Sequence, residues 1–293
     1  MRKVMVHVRW AFNFTSWRPG QTEWTFCNQC IQKEERERIK KFYFTKDAKA
    51  AMIGRLLIRK LVAEYTDIPY QDIQLSRTEK GRPYVVNRSL PFDFNVSHQG
   101  DYAVIGAESE TIIGTDVMKL EPPRSSGVGK FFDTMNRQFS EDEWKIIKSP
   151  AMETDQLKLF FRHWCLKESY VKALGIGIGF EIDRLNFKLN TLNIPPDKPL
   201  TNTTLKVDNK EEKDWIFEEH LLDDHCLAVA YKKTQDVCTV SKDQIETSKN
   251  FSILDYRTLI QGAVPLYDPE DQYWNDFCNK PENPELLKKS NKS

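Results

Sequence analysis

The chain passes from helical to strand periodicity in one fixed order, and it does so twice. Thr45 to Tyr65 (TKDAKAAMIGRLLIRKLVAEY) is rich in helix formers, carries Asp47 in its first turn and repeats apolar side chains at Ile53, Leu57, Ile58, Leu61 and Val62. Period-two segments follow: DIQLSRTEKGRPYVV breaks at Lys80-Gly81, and FDFNVSHQGDYAVIGAES breaks at Gln99-Gly100-Asp101. A second helix over Asp155 to Gly175 (DQLKLFFRHWCLKESYVKALG) again precedes strand regions, GFEIDRLNFKLN and WIFEEHLLDDHCLAVAYKK. The strands DYAVIGA and HCLAVAY also resemble each other. A long helix followed by antiparallel strands, in duplicate, predicts an α+β fold of two similar halves related by a pseudo-twofold, with a ligand cleft between them. Chance likeness between amphipathic patterns is the competing explanation.

The expected halves are 1–115 and 116–232, followed by a polar linker at 233–250 and a C-terminal extension at 251–293, where FSILDYRTLIQGAVP can pack back on the body. Between the halves, KLEPPRSSGVGKFFDTMNRQ is a loop by its Pro, Gly and Ser content. FSEDEW then opens a helix, with Ser140 as N-cap, Glu143 closing a capping box and Phe139 stapled onto Trp144.

Charge narrows the functions open to this chain. Lys+Arg and Asp+Glu each number 43, so no bulk field draws it to nucleic acid or an anionic membrane, and any phosphate recognition has to be local. No apolar run approaches the roughly 20 residues of a membrane span. The N-terminus alternates Val4, Val6, Val8 and Trp10, as a strand does and a secretion signal does not. Six irregularly spaced cysteines suit a reducing compartment, so a cytosolic protein is expected. Cys27 and Cys30 form a lone C-x-x-C; without a second ligand pair it favours structural cysteines over zinc or redox chemistry.

The second long helix contains an anomaly. At 3.6 residues per turn Leu157, Phe160, Phe161, Trp164 and Val171 share one face, and Glu168 lies inside that stripe with Lys172 one turn on at its edge. An exposed i,i+4 ion pair is the common explanation of that spacing, but a carboxylate facing inward needs a cation or strong donors. TIIGTDVM ends an apolar strand in Gly114-Thr115-Asp116, where glycine permits close backbone approach. Taken alone, Asp116 reads most simply as a turn aspartate. Taken with Glu168 it suits Mg²⁺, which is commonly held by one or two carboxylates, waters and phosphate oxygens. Phosphate-binding candidates lie in the first half: RTEKGRP (77–83) sets three cations around a glycine turn, and NVSH (95–98) adds an amide, a hydroxyl and an imidazole. A solvated basic turn and a structural histidine are the alternatives.

Together W-C-L-K-E-S-Y-V-K (164–172), G-T-D (114–116), R-T-E-K-G-R-P and F-N-V-S-H-Q-G resemble the surfactin-synthetase-activating class of 4′-phosphopantetheinyl transferases. FTKDAKAAMIGRLLIRKLVAEY and FNVSHQGDYAV resemble its animal members in particular. The resemblance implies coenzyme A held between two halves. It implies a carrier-domain serine that attacks the β-phosphate, takes the phosphopantetheine arm and releases adenosine 3′,5′-bisphosphate. Asp116 and Glu168 would bind Mg²⁺, Glu168 would also help deprotonate the serine, and Lys172 would stabilise charge at the transferred phosphoryl group. Coenzyme A binding carries over onto Lys46, Arg77, Thr78, Glu79, Lys80, Gly81, Arg82, Asn95, Val96, Ser97 and His98, with Glu168 and Lys172, and His98 would donate to a phosphate oxygen. The implied partners are acyl-carrier domains of fatty acid synthase and similar aminoacyl carriers, and the implied state is a monomer.

Two positions depart from the class. Met118 stands where bacterial members often have a third acid, and Lys46 where animal members have arginine, so a point charge replaces a bidentate fork. Arg124, Lys130 and Arg137 are candidate docking residues for acidic carriers, or simply solubilising charges. A coenzyme A or carrier-binding module without catalysis, and an unrelated metal-dependent phosphohydrolase, are the rival functions.

Overall fold

The computed structural model describes residues 5–86, 89–123, 127–177, 180–233 and 250–282. In the first half β1 (His7–Asn13) leads through α1 (Gln21–Gln29), α2 (Lys33–Lys40) and α3 (Thr45–Tyr65) to the short hairpin β2 (Leu75–Arg77) and β3 (Pro83–Val85). β4 (Phe92–Gln99) and β5 (Tyr102–Ser109) complete it. In the second half β6 (Ile113–Lys119) leads through α4 (Val128–Thr134), α5 (Glu141–Ile147) and α6 (Glu153–Leu174) to β7 (Leu185–Lys188), β8 (Thr204–Val207) and β9 (Lys210–Glu211). β10 (Trp215–Leu222) and β11 (His225–Lys232) close it, and β12 (Ser252–Ile253), α7 (Tyr256–Ile260) and α8 (Asp271–Cys278) follow.

Strand order exposes the duplication. A four-stranded sheet runs β12-β1-β5-β4 and a three-stranded one β6-β11-β10, beside the smaller β2-β3 and β7-β8-β9 sheets. In each half the strand that precedes the helices pairs antiparallel with the last strand, which pairs antiparallel with the one before it. The α+β architecture of two similar halves is the one the chain adopts.

DYAVIGA and HCLAVAY look alike because β5 and β11 are central strands covered on both faces, which calls for a nearly continuous apolar run. On β5, Ala103, Ile105 and Ala107 pack in the α3 cluster; on β11, Cys226, Ala228 and Ala230 pack in the α6 cluster. The alternate residues Tyr102, Val104, Leu227 and Val229 meet one another, with Ala11, Ile113 and Val117, between the sheets. The layers are helix, sheet, sheet, helix. Each fully buried aliphatic side chain in these clusters contributes on the order of 1.5–3 kcal/mol.

β4 runs beside β6 without a backbone ladder. Side chains meet the N–H groups of β6 instead: Asp93 Oδ2 accepts from Ile113 N at 3.0 Å, Asn95 Oδ1 from Thr115 N at 2.9 Å and Gln99 Oε1 from Lys119 N at 2.6 Å. β6 crosses the expected 115/116 division, and its ladder with β11 puts the whole strand in the second half. The two hairpin turns touch as well. His225 Nε2 accepts from Asp101 N at 3.0 Å, and a Cβ on Gly100 (φ 63°) would fall 2.2 Å from that nitrogen. Between β5 and β11, then, the halves are joined by apolar side chains, and between β4 and β6 by polar ones.

Candidate active site

Gly114 sets how closely α6 lies on β6. A Cβ there would fall 2.0 Å from the Ser169 carbonyl oxygen and 2.3 Å from Ala173 N, so the helix backbone rests directly on the strand. Two residues on, Asp116 is 4% exposed. The expected stripe of Leu157, Phe160, Phe161 and Val171 is buried and Trp164 is half-buried. Glu168 and Lys172, both half-buried, open on a cleft of about 510 Å³ between the halves. Its walls include Lys80, Gly81, Arg82, Asn95 and Val96 from the first half, and Gln138, Trp164, Phe180 and Ile182 from the second.

Lys172 pairs with Asp116 rather than with Glu168. Its ammonium lies 2.6 Å from Asp116 Oδ1 and donates to Ser97 Oγ at 2.9 Å, while that hydroxyl donates to the same aspartate oxygen at 3.0 Å. Asp116 Oδ2 is buried with no hydrogen-bond partner among the described residues. Among those residues Glu168 too has neither hydrogen bond nor ion pair. Burial raises the Glu168 pKa above the ordinary carboxylate range, the Asp116 charge adds to the rise, and Lys172 opposes it. Burial works against the charge on Lys172, but Asp116 and Glu168 outweigh it and the pKa rises. The free Oδ2 of Asp116 and the Glu168 carboxylate, beside a cleft with room for water and phosphate, are a donor set that fits a hard divalent cation. Met118 packs against the second-half core.

RTEKGRP becomes the β2–β3 hairpin. Thr78 N donates to Arg82 O at 2.9 Å, Gly81 N to Thr78 O at 2.8 Å, and Gly81 takes the left-handed φ of 84° that closes the turn. Thr78 and Glu79 are exposed at its tip. Lys80 Nζ reaches across the cleft to Ile176 O at 2.8 Å. Arg82 donates to Lys172 O, to Asp93 Oδ2 at 2.7 Å, and to Phe94 O and Ile113 O at 3.0 Å each. That arginine caps the C-terminal end of α6 and ties the halves together. Asn95 and Ser97, 5% and 7% exposed, hold Thr115 and Asp116 in the same way, and Val96 packs on the α3 core.

A second cationic centre was not legible in the sequence. Glu35 on α2 is approached by Arg77 at 3.1 Å, Arg55 at 3.3 Å and Arg38 at 3.8 Å. Burial lowers the Arg55 pKa to about 10; Glu35 opposes the fall while Arg77 and Arg38 add to it. Glu35, Arg38 and Arg77 line a further cavity of about 890 Å³. His98 keeps an exposed edge at the end of β4 although protein atoms crowd the rest of its ring. Burial lowers its pKa, and Lys172, Arg38 and Arg55 lower it further, against the pull of Asp47. His98 therefore sits in the field of both centres. Lys46, half-exposed in the first turn of α3, lines neither cavity.

Lys167, just before Glu168, is fully buried. Its ammonium lies 2.8 Å from Glu143 Oε2 and donates to the carbonyl oxygens of Gln138, Ile182 and Leu185 at 3.0, 2.9 and 2.7 Å. Since Gln138 and Ile182 line the cleft, this lysine fixes the wall beside Glu168. The expected capping box is present at Ser140 and Glu143, and Phe139 meets Trp144 edge-on at 5.2 Å. Lys130 and Arg137 are exposed, and Arg124 lies outside the described residues. Cys27 and Cys30 are fully buried, and burial pushes the Cys30 thiol up to about 12.

Residues 15–110 match the family described as 4′-phosphopantetheinyl transferase, N-terminal, and residues 112–230 match the 4′-phosphopantetheinyl transferase superfamily. The chain is 44% identical to the mouse L-aminoadipate-semialdehyde dehydrogenase-phosphopantetheinyl transferase over 94% of its own length and 92% of the relative's. It is 38% identical to a Thraustochytrium phosphopantetheinyl transferase, covering 75% and 77% of the two chains, and 27% identical to the 4′-phosphopantetheinyl transferase gsp of Aneurinibacillus migulanus, covering 77% and 91%. By fold, motif and relatedness the chain belongs to the 4′-phosphopantetheinyl transferase superfamily, and it transfers the phosphopantetheine arm of coenzyme A to carrier proteins.

Proposed function

We propose that this transfer depends on Mg²⁺ and takes place in the cleft between the halves. The observation that supports this reading is the unpartnered Oδ2 of Asp116 together with the Glu168 carboxylate, which among the described residues has no hydrogen bond or ion pair, beside the Lys172 ammonium. A cation bound there supplies charge neutralisation at pyrophosphate oxygens and acidifies a hydroxyl next to it. Glu168, on the cleft wall, accepts the proton of the carrier serine. Lys172, which donates to Ser97, presents positive charge where negative charge develops on the oxygens of the transferred phosphoryl group. His98 donates to a phosphate oxygen, and the surplus positive charge of Arg38, Arg55 and Arg77 over Glu35 holds the nucleotide end of coenzyme A.

The carriers in this reading are acyl-carrier domains, that of fatty acid synthase among them, and aminoacyl carriers. The enzyme acts as a monomer in the cytosol, which accords with a cleft built wholly within one chain and with its buried free thiols. The test is direct: incubate the protein with coenzyme A and an apo-carrier, with Mg²⁺ or with a chelator. The expected result is a mass gain of one phosphopantetheine on the carrier serine with Mg²⁺ alone. Equal loading in chelator would overturn the metal dependence. Tight coenzyme A binding without a single turnover would instead support the binding-module alternative, which Met118 at the third acid position motivates.

A further inference from the structure

Both family models end by residue 230, yet residues 250–282 are folded onto the first half rather than trailing from the second. Phe251 is buried between the sheets and meets His220 edge-on at 5.0 Å, and β12 adds a parallel strand beside β1. The segment then crosses α1 and α2. Phe277 stacks on Trp24 with centroids 3.9 Å apart, and Leu266 N donates to Gln29 O at 2.8 Å.

The grip on α2 is the informative part. Lys33 N donates to the Tyr267 hydroxyl at 3.2 Å, Arg36 donates to Glu270 Oε1 at 2.7 Å, the Tyr273 hydroxyl donates to Glu37 at 2.8 Å, and Lys40 pairs with Asp276 at 3.1 Å. The Arg36 guanidinium, 2% exposed, lies over the Tyr273 ring at 4.2 Å and the Tyr267 ring at 4.8 Å. Residues 33, 36, 37 and 40 form one helical face, and Glu35 and Arg38 lie on the opposite one. α2 is thus clamped from behind, with its other face turned to the cavity of about 890 Å³, and Pro265, Leu266 and Tyr267 form part of that cavity's wall.

We propose that residues 250–282 form a positioning strap for coenzyme A, which seats α2 so that Arg38 and Arg77 meet the phosphates of the nucleotide end. Tyr273 and Glu270 are positioning residues that act through Arg36. The proposal rests on the reading that this arginine cluster receives coenzyme A phosphate.

The experiment compares KM for coenzyme A and for 3′-dephospho-coenzyme A in full-length protein with one apo-carrier. In Tyr273→Ala/Glu270→Ala, KM for coenzyme A rises about tenfold, kcat stays within about twofold, and the preference for the 3′-phosphorylated form shrinks. Tyr273→Phe, which keeps the ring face, retains the wild-type preference. Unchanged KM and preference in a folded double variant would overturn the proposal, and so would an equal loss in Tyr273→Phe. If the double variant does not fold, Glu270→Gln serves instead: a raised KM supports the strap and a wild-type KM refutes it. Arg38→Ala/Arg77→Ala separates the two layers of argument. A wild-type KM in that variant removes the arginine-cluster reading itself, whereas a raised KM there beside a wild-type KM in the strap variant removes only the strap.

Discussion

Gly114→Ala tests whether the seat of α6 on β6 makes the site. Ordinary contact begins near 3.4 Å, and the new methyl would start 2.0 Å from the Ser169 carbonyl, so strand and helix must part by about 1.4 Å. The obstacle is backbone, which no rotamer change can clear. Overpacking of this kind costs about 1–3 kcal/mol. The same retreat would stretch the 2.6 Å contact between Lys172 and Asp116 towards about 4 Å, and a misplacement of about 1 Å is enough to cost roughly 10²-fold in rate. Urea unfolding and carrier loading at saturating substrates measure the two effects. We expect lower stability and a kcat reduced about 10²-fold, with KM for coenzyme A little changed because Arg38 and Arg77 lie in the other half. Gly129→Ala, where a Cβ meets nothing within 4 Å, is the control: it leaves kcat unchanged and costs no stability, since alanine favours the helix there. Wild-type kcat in a destabilised Gly114→Ala protein would refute the link between backbone approach and catalysis.

Glu168→Gln keeps shape and removes the base; kcat falls by about 10²–10⁴-fold with an unaltered melting profile, and wild-type turnover would exclude the assigned role. In the metal-free protein the Glu168 carboxyl takes up its proton, as pH falls, at a value above the ordinary glutamate pKa of about 4.3, and an NMR titration of that carboxyl without the upward shift would contradict its burial. Lys167→Met strands Glu143 and costs about 3–5 kcal/mol by urea unfolding, while Lys167→Met/Glu143→Gln regains part of the loss because no charge is left unpaired; a cost below about 1 kcal/mol for the single change would show the pair to be dispensable. Reversing the charges of Lys130 and Arg137 raises KM for an acidic carrier without changing that for coenzyme A, and an unchanged carrier KM disposes of the docking role.

Periodicity made the long helices, the hairpins and the repeated plan visible, since each depends on residues close in sequence. Leu157, Phe160, Phe161 and Val171 are buried as their spacing requires, and the glutamate that broke the stripe does open on a cleft. Asp93, Asn95, Ser97 and Gln99 were harder. Their alternation is plain, but that Asp93, Asn95 and Gln99 meet another strand's amides, and Ser97 its aspartate, depends on how the halves dock. Arg38 does not stand out in the sequence because EERERIKKF has the mixed charge of a solvated helix; its context comes from Arg55 and Arg77, 17 and 39 positions further along the chain. α1 is not legible in QTEWTFCNQ, which is too short and mixed to show a period. Lys167 looked like one more motif cation, and only the folded chain shows three carbonyls around it.

The polar seam along β6 has a consequence for separating the halves. Detached from its neighbour, the second half would present the amides of Ile113, Thr115 and Lys119 as an open strand border, a template for a foreign chain to pair with. The second half in this way depends on the first for a closed sheet border, and the two halves are expected to melt in one step.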